Sequence, residues 1–485
     1  MSELIKLKPV NVWGNFQNIC KIPHPSKKEK KLIDFVKNFG LSLKLETIVD
    51  QVGNVIIRKP ATKGYEKRKG VILQGHLDMV PQANSDSKHN FEKDSIQAYV
   101  DGEWVTAKGT TLGADNGIGV AATMAVLQAK DIQHGPIEAL FTMDEETGMT
   151  GAFKLKSGLL KGDILMNLDS EDEGELYIGC AGGMDANIEM KYKTENVPSG
   201  MVAYSLAITG LKGGHSGLDI ILGRGNSNKL LVRYIRHATK KHGLHISEIK
   251  GGSLRNAIPR ESYATVVVPA KKEKEFIKCV SDFQDIFRKE LSATEPDLCF
   301  TVKKAKTPKE IIDKKSQQKF INAVYGCPNG VIRMSDAMQG IVETSSNLAI
   351  INSKKGIFTV NCLMRSSVDS AKEDLAQMIS SVFELAGAKV ELTGSYPGWK
   401  PDIKSPILKT MKEVYKKKFG KTPEVKVIHA GLECGILGAA YPHWDMISFG
   451  PTIRFPHSPD EKVNIASVQK FWDYLLETLK NVPNK

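Results

Sequence analysis

Ile137-Glu138-Ala139-Leu140-Phe141-Thr142-Met143-Asp144-Glu145-Glu146-Thr147-Gly148 carries a short, largely apolar run straight into three successive carboxylates. A run of that length and character reads as a strand buried on both faces, the habit of parallel sheets. Two more stretches repeat the pattern. Val71–Leu73 leads into Gly75-His76-Leu77-Asp78, and Ile164–Leu168 leads into Asp169. Between them lie a hairpin at Tyr99–Trp104, turning on Asp101-Gly102, and a helix over Gly117–Gln128. Upstream, a helix around Val12–Ile22 stops at Pro23-His24-Pro25-Ser26. Ser26 is then placed to cap a second helix over Lys27–Asn38. Short strands are expected at Leu43–Thr47 and Asn54–Arg58. Strands alternating with helices predict an α/β sandwich.

From about Met184 the texture changes. Alternating strands such as Val202–Ile208 and Tyr263–Val268, with lysine-rich amphipathic helices, read as an α+β insert running to about Leu392. Near Tyr396-Pro397-Gly398-Trp399 the α/β texture returns, and it closes with a helix over Ala466–Leu479. A chain of 485 residues exceeds one ordinary core. The expected organisation is therefore a discontinuous α/β domain, residues 1–185 plus 395–485, interrupted by an α+β domain over 186–394. The insert is large enough for two similar halves, but no internal repeat is visible in it.

Composition excludes several classes. Hydrophobic residues are 41% and charged residues 25%, the profile of a soluble globular protein. No run approaches the roughly 20 apolar residues of a membrane span. The charged start, Met1-Ser2-Glu3-Leu4-Ile5-Lys6-Leu7-Lys8, is unlike a signal peptide, so the expected location is the cytoplasm. Seven scattered cysteines without a Cys-x-x-Cys pair predict reduced thiols. The net charge of +12 comes from short lysine runs mixed with acids, such as Lys27-Lys28-Glu29-Lys30-Lys31. Those are solvated faces, and no nucleic-acid partner is expected.

Ligands of open α/β sheets gather at the carboxyl ends of strands, so the polar bursts should converge. His76 can bind a metal while Asp78 supports its other ring nitrogen. Asp115, in Gly113-Ala114-Asp115-Asn116-Gly117, sits between glycines immediately before a helix, where one carboxylate can bridge two cations. Glu145 and Glu146 are adjacent acids that repel unless cations neutralise them or one is protonated. Asp169 ends the third strand, and far downstream His457 lies in Pro456-His457-Ser458-Pro459-Asp460-Glu461. Taken singly, these are a surface pair, an N-cap, an acidic turn and a loop histidine. Ser170-Glu171-Asp172-Glu173 reads as a solvated acidic loop. Two histidines with several oxygen donors suit zinc, with manganese or cobalt as substitutes. The set divides into two metals sharing one carboxylate, the geometry of metal-assisted hydrolysis.

Their order along the chain resembles that of the di-zinc carnosinase-like metallopeptidases. The likeness spans essentially the whole chain and includes Cys180-Ala181-Gly182-Gly183, Gly213-Gly214-His215-Ser216-Gly217, Leu254-Arg255-Asn256-Ala257-Ile258-Pro259-Arg260 and His429-Ala430-Gly431-Leu432-Glu433-Cys434-Gly435. The resemblance implies a mixed-sheet, zinc-exopeptidase-like catalytic domain with an inserted α+β lid. It implies two zinc ions bridged by Asp115, one held by His76 and Asp169, the other by Glu146 and His457. A cis peptide bond is expected at Asp115–Asn116. Glu145 would act as general base on a water activated by the zincs, with Asp78 supporting His76. From the lid, His215 would stabilise the oxyanion, Arg365 would anchor the substrate carboxylate and Asn256 would hold its backbone. Gly431 would line the pocket, and lid closure would be needed for turnover.

The resemblance implies unblocked dipeptides as substrates, preferentially Xaa-His and including β-alanyl-histidine, and a homodimer as the expected assembly. A broader exopeptidase or an N-acyl-amino-acid deacylase would use the same metal centre. A catalytically silent metal-binding or nucleic-acid-binding protein is the rival from another class, and retention of Glu145 with all five ligands argues against it.

Overall fold

The computed structural model describes residues 3–485, which form two compact units. The first comprises the chain through Gly179, Pro401–Val427 and Leu432–Lys485; the second comprises Cys180–Lys400 and Ile428–Gly431. The divisions after Gly179 and Lys400 lie six residues from the expected ones, and the short segment Ile428–Gly431 goes with the second unit.

The first unit is built on an eight-stranded mixed sheet. Its strand order is Glu46–Val49, Val55–Lys59, Ile137–Thr142, Val71–His76, Ile164–Asn167, Asp445–Ser448, Glu175–Cys180 and Glu424–Ile428. The four central strands, from Ile137–Thr142 to Asp445–Ser448, run parallel. Three of them, at 71–76, 137–142 and 164–167, are buried at every position, which is why they read as short apolar runs. Parallel register sets His76 opposite Thr142 and Gln74 opposite Asn167, so the polar strand ends lie side by side. The helix Ala114–Gln128 packs on the strand Val71–His76 and on the helix Val10–Cys20. It is apolar around most of its circumference, as a helix covered on all sides must be. A separate four-stranded antiparallel sheet joins Ile453–Arg454 and Lys462–Asn464 to the hairpin Ala98–Asp101 and Trp104–Ala107. It holds both ends of the loop that carries His457.

The second unit has one continuous nine-stranded antiparallel sheet. Its central strands include Ser262–Pro269, His245–Gly251, Val342–Lys354, Ile357–Ser366 and Gly182–Lys191. Helices Ser227–His242, Glu273–Glu290, Lys314–Gly326 and Asp369–Leu385 complete its core, where Tyr234, Phe276, Phe320 and Phe358 are fully buried. No helix among the described residues is long and apolar enough to cross a membrane.

Two local expectations are corrected. The second helix spans Lys30–Ser42, and Ser26 does not cap it. Lys27 has a left-handed φ of 66°, which ends any helical path there, and the Ser26 hydroxyl donates instead to Asp78 Oδ2 at 2.8 Å. Ser170–Glu173 is also no solvated loop. Ser170 is buried against the Ser448 hydroxyl at 2.6 Å, Asp172 pairs with Arg454 at 2.8 Å, and Glu173 accepts from Tyr415 at 2.5 Å. Burial pushes the Glu171 carboxyl up to about 8.

Candidate functional site

At the carboxyl edge of the central strands, residues from five parts of the chain converge. His76 closes its strand with 1% exposure. Its Nε2 lies 3.2 Å from Asp115 Oδ1 and 3.3 Å from Asp169 Oδ1. The other oxygen of Asp115 is 3.2 Å from His457 Nε2, which is itself 3.0 Å from Glu146 Oε2. Asp115 therefore stands between two groups, His76 with Asp169 and Glu146 with His457. The donor atoms within each of these sets of three lie within 4.8 Å of one another, as do those of His76, Glu145 and Glu146.

The backbone is shaped to deliver these side chains. Gly113 adopts φ +71° ahead of Asp115, and the Asp115–Asn116 peptide bond is cis. Gly75 leaves room for the Asn116 amide; a Cβ there would stand 2.2 Å from Asn116 Oδ1. Asn116 in turn donates to Leu168 O at 2.6 Å, one residue before Asp169. Asp144, also left-handed, accepts from the hydroxyls of Thr147 and Thr150 and turns Glu145 and Glu146 off the strand.

Two buried carboxylates clamp the arrangement. Asp78 accepts the Glu145 N–H at 2.8 Å, the Glu146 N–H at 3.2 Å and the Ser26 hydroxyl. Its carbonyl, at 3.0 Å, and its carboxylate, at 3.4 Å, both face His76 Nδ1. Burial alone would raise the Asp78 pKa, yet His76 and these donors hold it at about 2. Glu461 accepts four consecutive backbone N–H groups, from Leu112, Gly113, Ala114 and Asp115, at 2.7–3.2 Å. That fixes the turn presenting Asp115. In the sequence Glu461 only closes the motif around His457, and Ser26 is expected to cap a helix. An acid four residues beyond the proline-bracketed His457 was the one available signal.

The charge balance tests whether the donor set suits metal ions. Four carboxylates (Asp115, Glu145, Glu146, Asp169) crowd around two imidazoles. Burial opposes charge at His76, but Asp169, Asp115 and Asp78 raise its pKa well above the ordinary imidazole value. Hydrogen bonds to Asp115 and Glu146 raise that of His457 to about 11. Burial pushes Asp169 up to about 7 and Glu145 well above the carboxylate range. The four carboxyl groups outnumber the two imidazoles, two of the four are raised by burial among like charges, and Glu146 Oε1 is buried without a hydrogen-bond partner. A set of this kind fits divalent cations.

The second unit gathers the remaining predicted residues. His215 Nδ1 accepts the N–H groups of Gly217 and Leu218 at 3.2 and 3.1 Å, which leaves the ring proton on Nε2. Burial and the nearby Arg365 keep this imidazole below its usual pKa. Arg365 is 6% exposed; its Nη1 donates to the Tyr396 hydroxyl at 3.0 Å and its Nε is buried without a partner. Asn256 has an exposed side chain, and its carbonyl accepts the Ser216 N–H at 2.8 Å. Gly431 closes the segment Ile428–Gly431. His429, absent from the predicted set, meets the Ser345 hydroxyl at 2.8 Å, and its carbonyl lies 2.1 Å from where a Cβ on Gly217 would stand.

The chain can be set against known proteins on this geometry. Its full length is 48% identical to all of the cytosol non-specific dipeptidase of Escherichia coli (strain K12). It superposes on the crystal structure of aminoacylhistidine dipeptidase from Vibrio alginolyticus with a TM-score of 0.97 at 50% identity, covering 100% of this chain and 99% of that one. A tripeptidase from Staphylococcus aureus, at 16% identity and a TM-score of 0.57 over 98% of this chain and 99% of its own, shares the fold alone. Residues 72–481 match the model of the peptidase family M20/M25/M40, a span reaching from the strand of His76 past His457 into the last helix. The chain thus belongs to the peptidase family M20/M25/M40.

Proposed function

We propose that the chain is a two-zinc dipeptidase of the cytoplasm that cleaves unblocked dipeptides, with Xaa-His dipeptides, including β-alanyl-histidine, among the preferred substrates. The observation that carries this reading is the convergence of His76, Asp115, Glu146, Asp169 and His457 with Glu145 beside them. The names of the Escherichia coli and Vibrio alginolyticus relatives support the dipeptidase and cytosolic parts of it. In this reading His76 and Asp169 would hold one zinc and Glu146 and His457 the other, with Asp115 shared; cobalt or manganese could substitute. Bound there, the two cations lower the pKa of water and polarise a carbonyl.

The chain's own groups do the rest. Glu145 is held by its backbone on Asp78, and burial raises the proton affinity of its carboxylate. As the carboxylate it would take a proton from water and deliver it to the leaving amine nitrogen. His215, with its proton on Nε2, donates to the developing oxyanion. Arg365 offers buried guanidinium N–H groups to the substrate carboxylate, which suits their fork geometry. Asn256 holds the substrate backbone, and Gly431 lines the pocket. The residues 186–394 serve as the lid and the dimerisation region of a homodimer, as the resemblance implies.

A broader exopeptidase or an N-acyl-amino-acid deacylase has the same centre, so substrates decide. Purified protein is assayed on β-Ala-His, a dipeptide panel and N-acetyl amino acids, before chelation, after it, and after zinc return. Metal-restorable hydrolysis confined to the dipeptides is expected. Absence of any such dipeptidase activity would reject the reading.

A further inference from the structure

Directly beneath the strand ends runs a buried chain of polar side chains. Glu433, the first residue of the helix Glu433–Ala440, is 0% exposed. Its Oε2 accepts Gln74 Nε2 at 2.6 Å and the Thr142 hydroxyl at 2.7 Å. Gln74 Oε1 accepts Asn167 Nδ2 at 2.5 Å, Asn167 Oδ1 accepts the Ser448 hydroxyl at 2.5 Å, and Ser448 meets Ser170. The chain crosses all four parallel strands. Side chains two apart on a strand share a face, so Gln74 underlies His76. Thr142 lies opposite His76 in the parallel register and precedes the Asp144–Glu146 turn. Asn167 and Ser170 flank Asp169.

Glu433 costs stability where it sits. Its Oε1 is buried without a hydrogen-bond partner. Burying a carboxyl with one oxygen unsatisfied is unfavourable against an apolar side chain of similar volume. Gln74 and Thr142, however, each need an acceptor at this point, and their amide and hydroxyl are oriented by it.

We infer that Glu433 is a positioning residue for the hydrolytic centre: through Gln74 and Thr142 it fixes the strand ends that present His76 and Glu145. The inference rests on the metal-centre reading above. Residues standing behind metal ligands typically change metal affinity or activity by about 10–100-fold when removed.

The test compares full-length wild type, Glu433→Ala, Glu433→Gln and Thr142→Val. Zinc affinity is measured by competition with a chromophoric chelator, without substrate, alongside kcat and KM for a dipeptide. Glu433→Ala should weaken zinc binding and lower kcat by about tenfold or more, with KM nearly unchanged. Glu433→Gln keeps an acceptor oxygen and should stay within about threefold of wild type on both measures. If Glu433→Ala fails to fold, Thr142→Val should still weaken zinc binding at unchanged circular dichroism. A melting temperature lowered with zinc affinity and kcat intact overturns the inference, as does a Glu433→Gln enzyme damaged as severely as Glu433→Ala. Wild type that binds zinc but cleaves no dipeptide rejects the proposed function while the affinity series still decides the role of Glu433.

Discussion

The polar clusters of the two units are opposites. In the first unit, Asp115, Glu145, Glu146 and Asp169 give a surplus of acceptors around His76 and His457. In the second, Arg365 has a buried N–H without a partner, His215 presents a ring N–H, and His429 is held neutral by burial and by Arg365. The supporting structure differs too. The acceptor cluster is braced by backbone N–H groups given to Asp78 and Glu461, whereas Arg365 is carried on a regular antiparallel strand between Ser345 and Gly183. Surplus acceptors call for cations and surplus donors call for an anion. The proposed function assigns the carbonyl of a dipeptide to the first demand and its free carboxylate to the second.

Glu145→Gln is the sharpest way to break the comparison. It removes the proposed proton carrier and leaves the five candidate ligands in place. Turnover should fall by about 10³-fold, while bound zinc measured by atomic emission stays at the wild-type level. Joint loss of metal and activity would make Glu145 a ligand and leave the base unassigned.

Glu461→Ala tests whether the acceptor cluster depends on its backbone clamp. Four N–H groups lose their acceptor. Destabilisation of roughly 3 kcal/mol is expected, read by urea unfolding. A loss under about 0.5 kcal/mol would mean that the Asp115 turn holds without the clamp.

Arg365→Ala probes the donor side. One charged hydrogen-bonding anchor is worth about 1.5–3 kcal/mol, so kcat/KM for unblocked dipeptides should drop by roughly 10–100-fold. The corresponding dipeptide amides should be far less affected. Equal losses on both substrates would remove Arg365 from carboxylate recognition.

The smallest effect concerns His429, whose pKa burial and Arg365 hold down to about 3 against an ordinary 6.5. Between those values the unfolded chain takes up a proton that the folded chain does not. Stability therefore falls as pH falls below 6.5, by at most about 1.4 kcal/mol per pH unit. His429→Gln should flatten that slope in urea titrations from pH 7 to pH 5. An unchanged slope would place the acid sensitivity elsewhere.

Sequence alone located the three strands, read as Val71–Leu73, Ile137–Thr142 and Ile164–Leu168 and observed at 71–76, 137–142 and 164–167, because burial on both faces writes a short apolar run that no partner is needed to read. It also pointed to the candidate ligand types, since imidazoles and carboxylates at strand ends carry their chemistry with them. The histidine preference, by contrast, rested on resemblance. What only the tertiary structure decided is which polar group satisfies which. Ser26 follows two prolines and invites a helix cap, yet its hydroxyl is taken by Asp78. The acids at 171–173 look solvated until Arg454, Tyr415 and Lys470 fold onto them. Glu461 and Glu433 look like ordinary surface acids in sequence, and their partners lie hundreds of residues away. A buried polar side chain is defined by the groups that satisfy it, and those are brought to it only by the folded chain.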